Sequence, residues 1–487
     1  MTDTAPIDAL LETDLYKQVH VHQYKAIGNV TRVLAAWTNR KSRIAGVNHV
    51  VHFGLQAHLQ RYLMDQFDPF FAADENTVIH MYEREMRDIF GSCPPTDHIR
   101  ELHRLGFIPL RFCAVPEGTL VPIGVPSFTI ENTMDDFAWV TNFVEPGISA
   151  SVWPAQTSAT VSHRYRLLLD AASDRTGANP ADVDYQGHDF SFRGMFGHEG
   201  AEISAAAHLL SFRGTDTSAT RKWVRRYYGG DFYAHSVPAT EHSVMSIGTA
   251  VLGELETYSR LLDLYPTGII AIVSDTYNLW RVLTEYLPAL KDKIMARRGK
   301  LVIRPDSGVP ERILLGDPAS SNPAEAAGVV RLLGDTFGTT LNDAGFRRLD
   351  PHVGAIYGDG INLQRAEDIT RGLEAQGWES VTSVLGIGSY SFQGNTRDTF
   401  NSAQKTLWAM VNGNAYNIFK DPITDDGTKK SATGRVAVLR SMEGELYLIQ
   451  KATPAQEALS LLRPVWENGQ FIKRQDFQDV RRTLHAG

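Results

Sequence analysis

Cysteine is nearly absent. Two thiols, Cys93 and Cys113, in 487 residues leave no disulfide framework and no zinc site built from several thiolates. They read as incidental thiols in a reducing compartment. Excess positive charge is missing too: 48 Lys and Arg face 56 Asp and Glu, a formal net charge of −8. No global field therefore holds nucleic acid or an anionic membrane. No apolar run is long enough to span a bilayer, and the opening MTDTAPIDALLETDLYK is acidic, without a hydrophobic leader core. A cytoplasmic protein is expected, with no membrane and no nucleic acid among its partners. Internal repeats and low-complexity tracts are lacking as well. What remains is ordinary globular composition, 43% hydrophobic and 21% charged, in a chain long enough for two or three domains.

Against these absences stands one recurrent pattern, an apolar run that stops abruptly at Asp, Gly or Arg. IIAIVSD ends at Asp275, KLVIRPDSG carries Arg304 and Asp306, VGAIYGDG carries Asp359, VTSVLGIG ends at Gly388, and LLSFRGTD ends at Asp216. Continuous Val/Ile/Leu runs read as strands buried on both faces. Polar residues at the carboxyl ends of such strands are where an α/β barrel gathers its chemistry. PAEAAGVVRLLGDTF and TYNLWRVLTEYLPALKDKIMAR read as helices, so strands and helices alternate as in βα units. About seven strands can be counted. The fold class expected is α/β: an irregular barrel over 151–390, with mixed α+β segments at 1–150 and 391–487. HVVHFGLQAHLQRYLMDQF reads as one helix, FIPLRFCAVPEGTLVPIGVPSFTIENT as a small antiparallel unit, and FQDVRRTLHA as an exposed closing helix. DPITDDGTKKSATGR, rich in turn formers, reads as a mobile loop.

Several residues could carry chemistry. HSVPATEHS, 235–243, sets His242 beside Glu241. Asp216, Asp275, Asp306 and Asp359 come from four strand ends and converge if the barrel closes. Such a ring suits sugar hydroxyls, magnesium or a developing cation, and each Asp could equally cap the next helix. LGIGS, 385–389, offers backbone N–H groups to an anion, or simply makes a tight turn; it is not a Walker loop. Arg40, Arg193, Arg397, Lys405, Lys420 and Lys429 are, singly, surface charges. Arg304 differs, because it ends a strand beside Asp306 and faces a barrel mouth. His20 and His22, in QVHVHQY, fall on one face of a strand with no third ligand, so packing is preferred to metal.

Taken together, TDLYKQVHVHQY, AVPEGTLVPIG, FTIENT, HDFSFRG, SFRGTDT, SVPATEHS, IVSDTYN, IRPDSG, GDG, TRD and FKDP, in that order over nearly the whole chain, resemble the nicotinamide phosphoribosyltransferase family. The resemblance implies a type II phosphoribosyltransferase fold, an irregular barrel plus a domain made from both chain ends. It implies a homodimer with two shared active sites that joins nicotinamide to 5-phosphoribosyl-1-pyrophosphate with Mg²⁺, and couples this to ATP through a phosphorylated His242 held by Asp275. By the same resemblance Phe190, with Tyr16 of the partner subunit, sandwiches the pyridine ring, and Asp216 accepts from the carboxamide. Arg193 lies beside the ring and the 5′-phosphate. Asp306 and Asp359 hold ribose hydroxyls, and Gly388 and Ser389 meet the 5′-phosphate. Arg304, with Arg40, Arg397, Lys405, Lys420 and Lys429 from the partner, surrounds the pyrophosphate. Two positions depart from the family pattern: Ser389 replaces a third glycine, and Thr240 stands where Ala is common. The rival readings are a nicotinate enzyme on the same fold, which the carboxylate of Asp216 opposes, a silent binding protein, and a metal-dependent barrel hydrolase.

Overall fold

The computed structural model describes residues 5–358, 360–420, 424 and 431–486. The chain divides into two compact units, one of Met1–Thr160, Lys222–Phe232 and Asn395–Gly487, the other of Val161–Arg221 and Tyr233–Gly394. The helix Glu145–Thr176 runs from the first into the second.

Both chain ends build the first unit. The strand Val30–Asn39 pairs antiparallel with Ser402–Val411 on one side and with Pro126–Asn132 on the other. Leu110–Ala114 and Arg463–Glu467 continue the sheet. Its core is aromatic: Trp37 stacks on Phe128 at 5.9 Å, and Phe112 meets the edge of Trp466 at 5.7 Å. The Trp37 indole N–H, buried with the ring, donates to Gln156 Oε1 at 2.9 Å.

Three histidines are buried here, and burial lowers His52, His58 and His98 each to about 3. A folded value below the unfolded 6.5 means the stability is present above pH 6.5 and is lost as pH falls toward 3. The loss is of the order of 2 kcal/mol per histidine by about pH 5. Thermal midpoints between pH 7.5 and 5 should therefore fall steeply. A flat profile would contradict neutral burial.

The second unit is the barrel. Its parallel strands are β1 Gly187–Asp189, β2 Gly214–Thr215, β3 Thr267–Val273, β4 Arg298–Arg304, β5 Val353–Tyr357 and β6 Ser383–Ile387. They lie in the order β2-β1-β6-β5-β4-β3. The two edges are joined by the extended segment His235–Thr240. His235 bridges Gly214, and Ala239 bridges Ala271, both in the parallel sense. The N–H of Thr215 donates to His235 O at 2.9 Å, and that of Thr240 to Ala271 O at 3.0 Å. The ring thus has seven staves, and the HSVPAT stretch is the one that closes it.

Some expectations need correction. His20 and His22 lie on the helix His20–Ile27, not a strand. Val21 packs inward and His22 packs edge-on to His98 at 5.5 Å. Among the described residues no group of three or more His, Cys, Asp or Glu could hold a metal ion. LLSF is not a strand: it finishes the turn after the helix Gly197–His208, and only Gly214–Thr215 pair. HVVHFGLQAHLQRYLMDQF begins as the strand His49–Val51, breaks at Phe53–Gly54, and becomes helical only at Leu55. The two long barrel helices are interrupted, one by a π-turn at Val282–Tyr286 and one by a kink at Gly328. The closing helix Phe477–His485 is not exposed: Phe477, Val480 and Leu484 share one buried face. Most of DPITDDGTKKSATGR lies outside the described residues.

Candidate active site

Side chains alternate in and out along a strand. Gln186, His188 and Phe190, then Gly214 and Asp216, Ile269 and Ala271, and Lys300, Val302 and Arg304 all point into one lumen of about 540 Å³. The lumen stays open because small residues, Gly214, Ala239 and Ala271, occupy positions that larger barrels fill with branched side chains. A second cavity, about 730 Å³, forms the mouth at the carboxyl ends of the strands. Eight of the expected site residues line it: Phe190, Arg193, Asp216, His242, Arg304, Asp306, Gly388 and Ser389. Phe190, Asp216 and Arg304 line both cavities and so mark the passage from one to the other.

Phe190 is set by its backbone and its floor. Its N–H donates to Ile387 O at 3.0 Å, extending β1 along β6. The ring lies over Gly386, where an added Cβ would stand 2.7 Å from the Phe190 ring and 2.7 and 2.9 Å from the carbonyl oxygens of Tyr357 and Gly358. Backbone oxygens cannot yield, so Gly386→Ala should displace the ring. The expected result is a raised KM for the aromatic substrate and a loss of about 1–3 kcal/mol of stability. Steady-state kinetics with a thermal melt checks both.

Asp216, at the end of β2, lines both cavities together with that ring. Nε2 of His188 lies 2.9 Å from its Oδ1, and the Ser236 hydroxyl donates to the same oxygen at 2.5 Å. Burial pushes this carboxyl up, but the hydrogen bond and charge of His188, then Ser236 and Arg304, outweigh it and hold it below its ordinary range. Asp189, fully buried, ties the neighbouring strand ends together. It accepts from the Ser191 N–H and from the Thr215 and Thr217 hydroxyls, and its carbonyl accepts from the Asp216 N–H. One carboxylate thus fixes the turn after Phe190 and the turn around Asp216.

On the far side of the mouth, His242 opens the helix His242–Leu252, with Glu241 at the cap position. Its Nε2 is 3.3 Å from Asp275 Oδ1. The histidine side chain is 48% exposed and the aspartate 6%, so the ring meets solvent while its partner anchors it. Asp275 Oδ2 also accepts from the Asp306 N–H at 2.8 Å and the Ser307 hydroxyl at 2.6 Å. Burial raises the Asp275 carboxyl, but Ser307, the Asp306 N–H and His242 together bring it below its ordinary value. Asp275 therefore locks the histidine to the loop that carries Asp306. It does not cap the following helix, since Asn278 does that.

Arg304 ends β4 with its guanidinium 5.8 Å from the Phe190 ring centroid. Nη2 donates to Thr240 O at 2.9 Å, while Nε is buried with no hydrogen-bond partner among the described residues. The hydroxyl of Thr240, which an Ala would lack, accepts from the Val273 N–H at 2.9 Å, fastening the closing stave to β3.

Arg40, Lys405, Arg397, Lys420 and Tyr16 belong to the first unit. Arg40 is bound to Asn401, with Nη2 donating to Oδ1 at 2.8 Å. Lys405 projects from Ser402–Val411. Burial lowers its ammonium, Glu145 opposes this, and Arg40, Arg397 and Lys420 add to the lowering. These four cations thus share one electrostatic neighbourhood. Tyr16 is 59% exposed and its hydroxyl donates to Asp14 at 2.9 Å. Asp359 and Lys429 lie outside the described residues. Motif reading missed His188, Asp189 and Ser236. Strand period could have found the first, since His188 and Phe190 are two apart and must share a face.

Comparison with known proteins gives the family and the fold. The model of the nicotinate phosphoribosyltransferase (NAPRTase) family matches residues 185–470. A nicotinamide phosphoribosyltransferase of Acinetobacter baylyi is 43% identical over 98% of this chain and 97% of its own length. One from Xanthomonas campestris pv. campestris is 32% identical over 98% of each. Among solved structures, nicotinate-nucleotide pyrophosphorylase from Pyrococcus furiosus superposes with a TM-score of 0.60 at 13% identity, covering 99% of this chain and 95% of that one. Human nicotinic acid phosphoribosyltransferase gives 0.56 at 15% identity, over 97% and 93%. These two establish the type II phosphoribosyltransferase fold. The chain belongs to the nicotinate phosphoribosyltransferase family, and the relatives it matches from end to end are nicotinamide phosphoribosyltransferases.

Proposed function

We propose that this enzyme joins nicotinamide to 5-phosphoribosyl-1-pyrophosphate, releasing pyrophosphate and giving nicotinamide mononucleotide for NAD salvage in the cytoplasm. The observation that carries this reading is Asp216: an ionised, acceptor-only group lining the same lumen as Phe190. A carboxamide brings an N–H₂ donor to such a group, whereas nicotinate brings a second negative charge. The pyridine nitrogen attacks the anomeric carbon as the C–O bond to pyrophosphate breaks, through an oxocarbenium-like transition state. Phe190, with Tyr16 of the partner subunit, orients the ring. Asp306 and Asp359 hold the ribose hydroxyls and stabilise the developing positive charge. Arg193, Gly388 and Ser389 take the 5′-phosphate. Arg304, with Arg40, Arg397, Lys405, Lys420 and Lys429 of the partner subunit, takes the pyrophosphate. Mg²⁺, which needs only one or two protein carboxylates when it arrives on substrate phosphates, fits Asp306 at the mouth and would neutralise the leaving group.

ATP is a co-substrate in this reading. The γ-phosphoryl passes to the His242 imidazole with release of ADP, and its hydrolysis is coupled to synthesis. The exposed ring and anchored Asp275 support that role. The homodimer is supported by the helix after His242, where Val244, Ile247 and Val251 form an exposed apolar stripe. Light scattering should give the mass of two chains, and replacing Ile247 and Val251 with Lys should give one.

The second reading, a nicotinate enzyme, has the matched family model in its favour. One assay separates the two: the purified chain with phosphoribosyl pyrophosphate, Mg²⁺ and equal nicotinamide and nicotinate, with and without ATP. Nicotinamide mononucleotide as main product, raised by ATP, is expected. Mainly nicotinate mononucleotide would overturn the base assignment, and no product at all would overturn the activity.

A further inference from the structure

Both donors that reach Asp216 land on the same oxygen. His188 Nε2 and Ser236 Oγ approach Oδ1, and Oδ2 has no hydrogen-bond partner among the described residues. A carboxylate held by a single contact can rotate and offer either oxygen. Held by two donors from opposite neighbours, β1 and the closing stave, it offers one. His188 is itself confined. Its ring centroid is 4.8 Å from that of Phe190, and its Nδ1 faces Gly214, where an added Cβ would come within 2.5 Å of it. The ring thus fills space that only a glycine at 214 leaves open. In the neutral imidazole the one N–H goes to Oδ1. What a ligand stacked on Phe190 then meets is a bare acceptor, Oδ2.

We propose that His188, backed by Ser236, is a specificity-determining pair. By fixing the rotation of Asp216, the two residues make this end of the lumen select an amide over an acid. They act through Asp216, as positioning residues rather than catalytic ones, and the proposal rests on the reading of Asp216 given above. Because the donors share one oxygen, each backs up the other. Removing either alone leaves Asp216 tethered, and removing both frees it.

The test uses His188→Ala, Ser236→Ala and the double variant in the full-length enzyme. kcat/KM is measured separately for nicotinamide and nicotinate, KM for phosphoribosyl pyrophosphate serves as control, and thermal midpoints are recorded. Each single change should raise KM for nicotinamide about three- to tenfold, with KM for the phosphorylated substrate moved less than about twofold. The double change should reduce amide-over-acid preference by more than the product of the single effects. His188→Gln, which can present an N–H near the same place, should recover part of the preference. A selective wild type whose variants keep the same preference would overturn this proposal and leave the proposed function standing. A wild type that uses both bases equally would overturn both. If His188→Ala does not fold, Ser236→Ala and His188→Gln decide it: unchanged preference in both sinks the pair.

Discussion

Asp216→Asn is expected to cut kcat/KM for nicotinamide by about ten- to a hundredfold, the cost of losing a hydrogen bond to a charged acceptor, and to raise the relative use of nicotinate sharply. The reason is Coulombic. Two like charges about 4 Å apart repel by about 4 kcal/mol at an effective dielectric of about 20, close to a thousandfold in preference. Asn keeps the size of the side chain and removes that repulsion. Arg304, whose charge already bears on Asp216, would then be the nearest counter-ion for an acid. A competition assay with both bases reads the effect. An unchanged product ratio would mean that the mouth, not Asp216, discriminates.

The second large effect is expected at the other wall. Asp275→Ala removes in one step the partner of His242 Nε2 and the acceptor for the Asp306 N–H and Ser307 hydroxyl. ATP stimulation should disappear, as it should in His242→Ala. Only Asp275→Ala should also weaken binding of the ribose substrate, because only it frees the Asp306 loop. Acid-labile label from γ-labelled ATP should be lost in both variants. Retention of label in His242→Ala would place the phosphoryl group elsewhere. The folded Asp275 carboxyl titrates below its ordinary 3.8. Its contribution to stability is therefore present above that value and lost as pH falls through the folded one. Acid should loosen this corner, and the variant should lack that part of the acid transition.

The barrel was legible where chemistry left no alternative. IIAIV, KLVIR, VGAIY and SVLGI are strands of one parallel sheet, and among the described residues Asp216, Arg304, Asp306 and Gly388 line one mouth. Other elements were hidden for physical reasons. The alternation in QVHVHQY looks like a strand, yet Val21 and Tyr24, three apart, pack as a helix does. LLSF is as apolar as any strand but serves to end a helix. The closing stave had no apolar run at all, since its pairing depends on two edges supplied from elsewhere in the chain. Among site residues, those that act through distinctive chemistry stood out in the sequence. His188, Asp189 and Ser236 did not, because they act on other side chains rather than on a ligand; strand period sets His188 on the face of Phe190 but does not mark its role.

The closing stave also bears on how this enzyme can change. Between its two bridges, at His235 and Ala239, it delivers Ser236 to the base end of the lumen, and just past them it leads directly into Glu241 and His242 at the mouth. Its length is therefore a ruler. Substitutions at Val237 or Pro238 alter only the finish of the wall, but losing or gaining one residue would turn alternate side chains to the wrong face and shift two functions at once. In a library scanning single-codon insertions and deletions, codons 236 to 241 should form a blank interval, even though Val237 and Pro238 within it accept point changes.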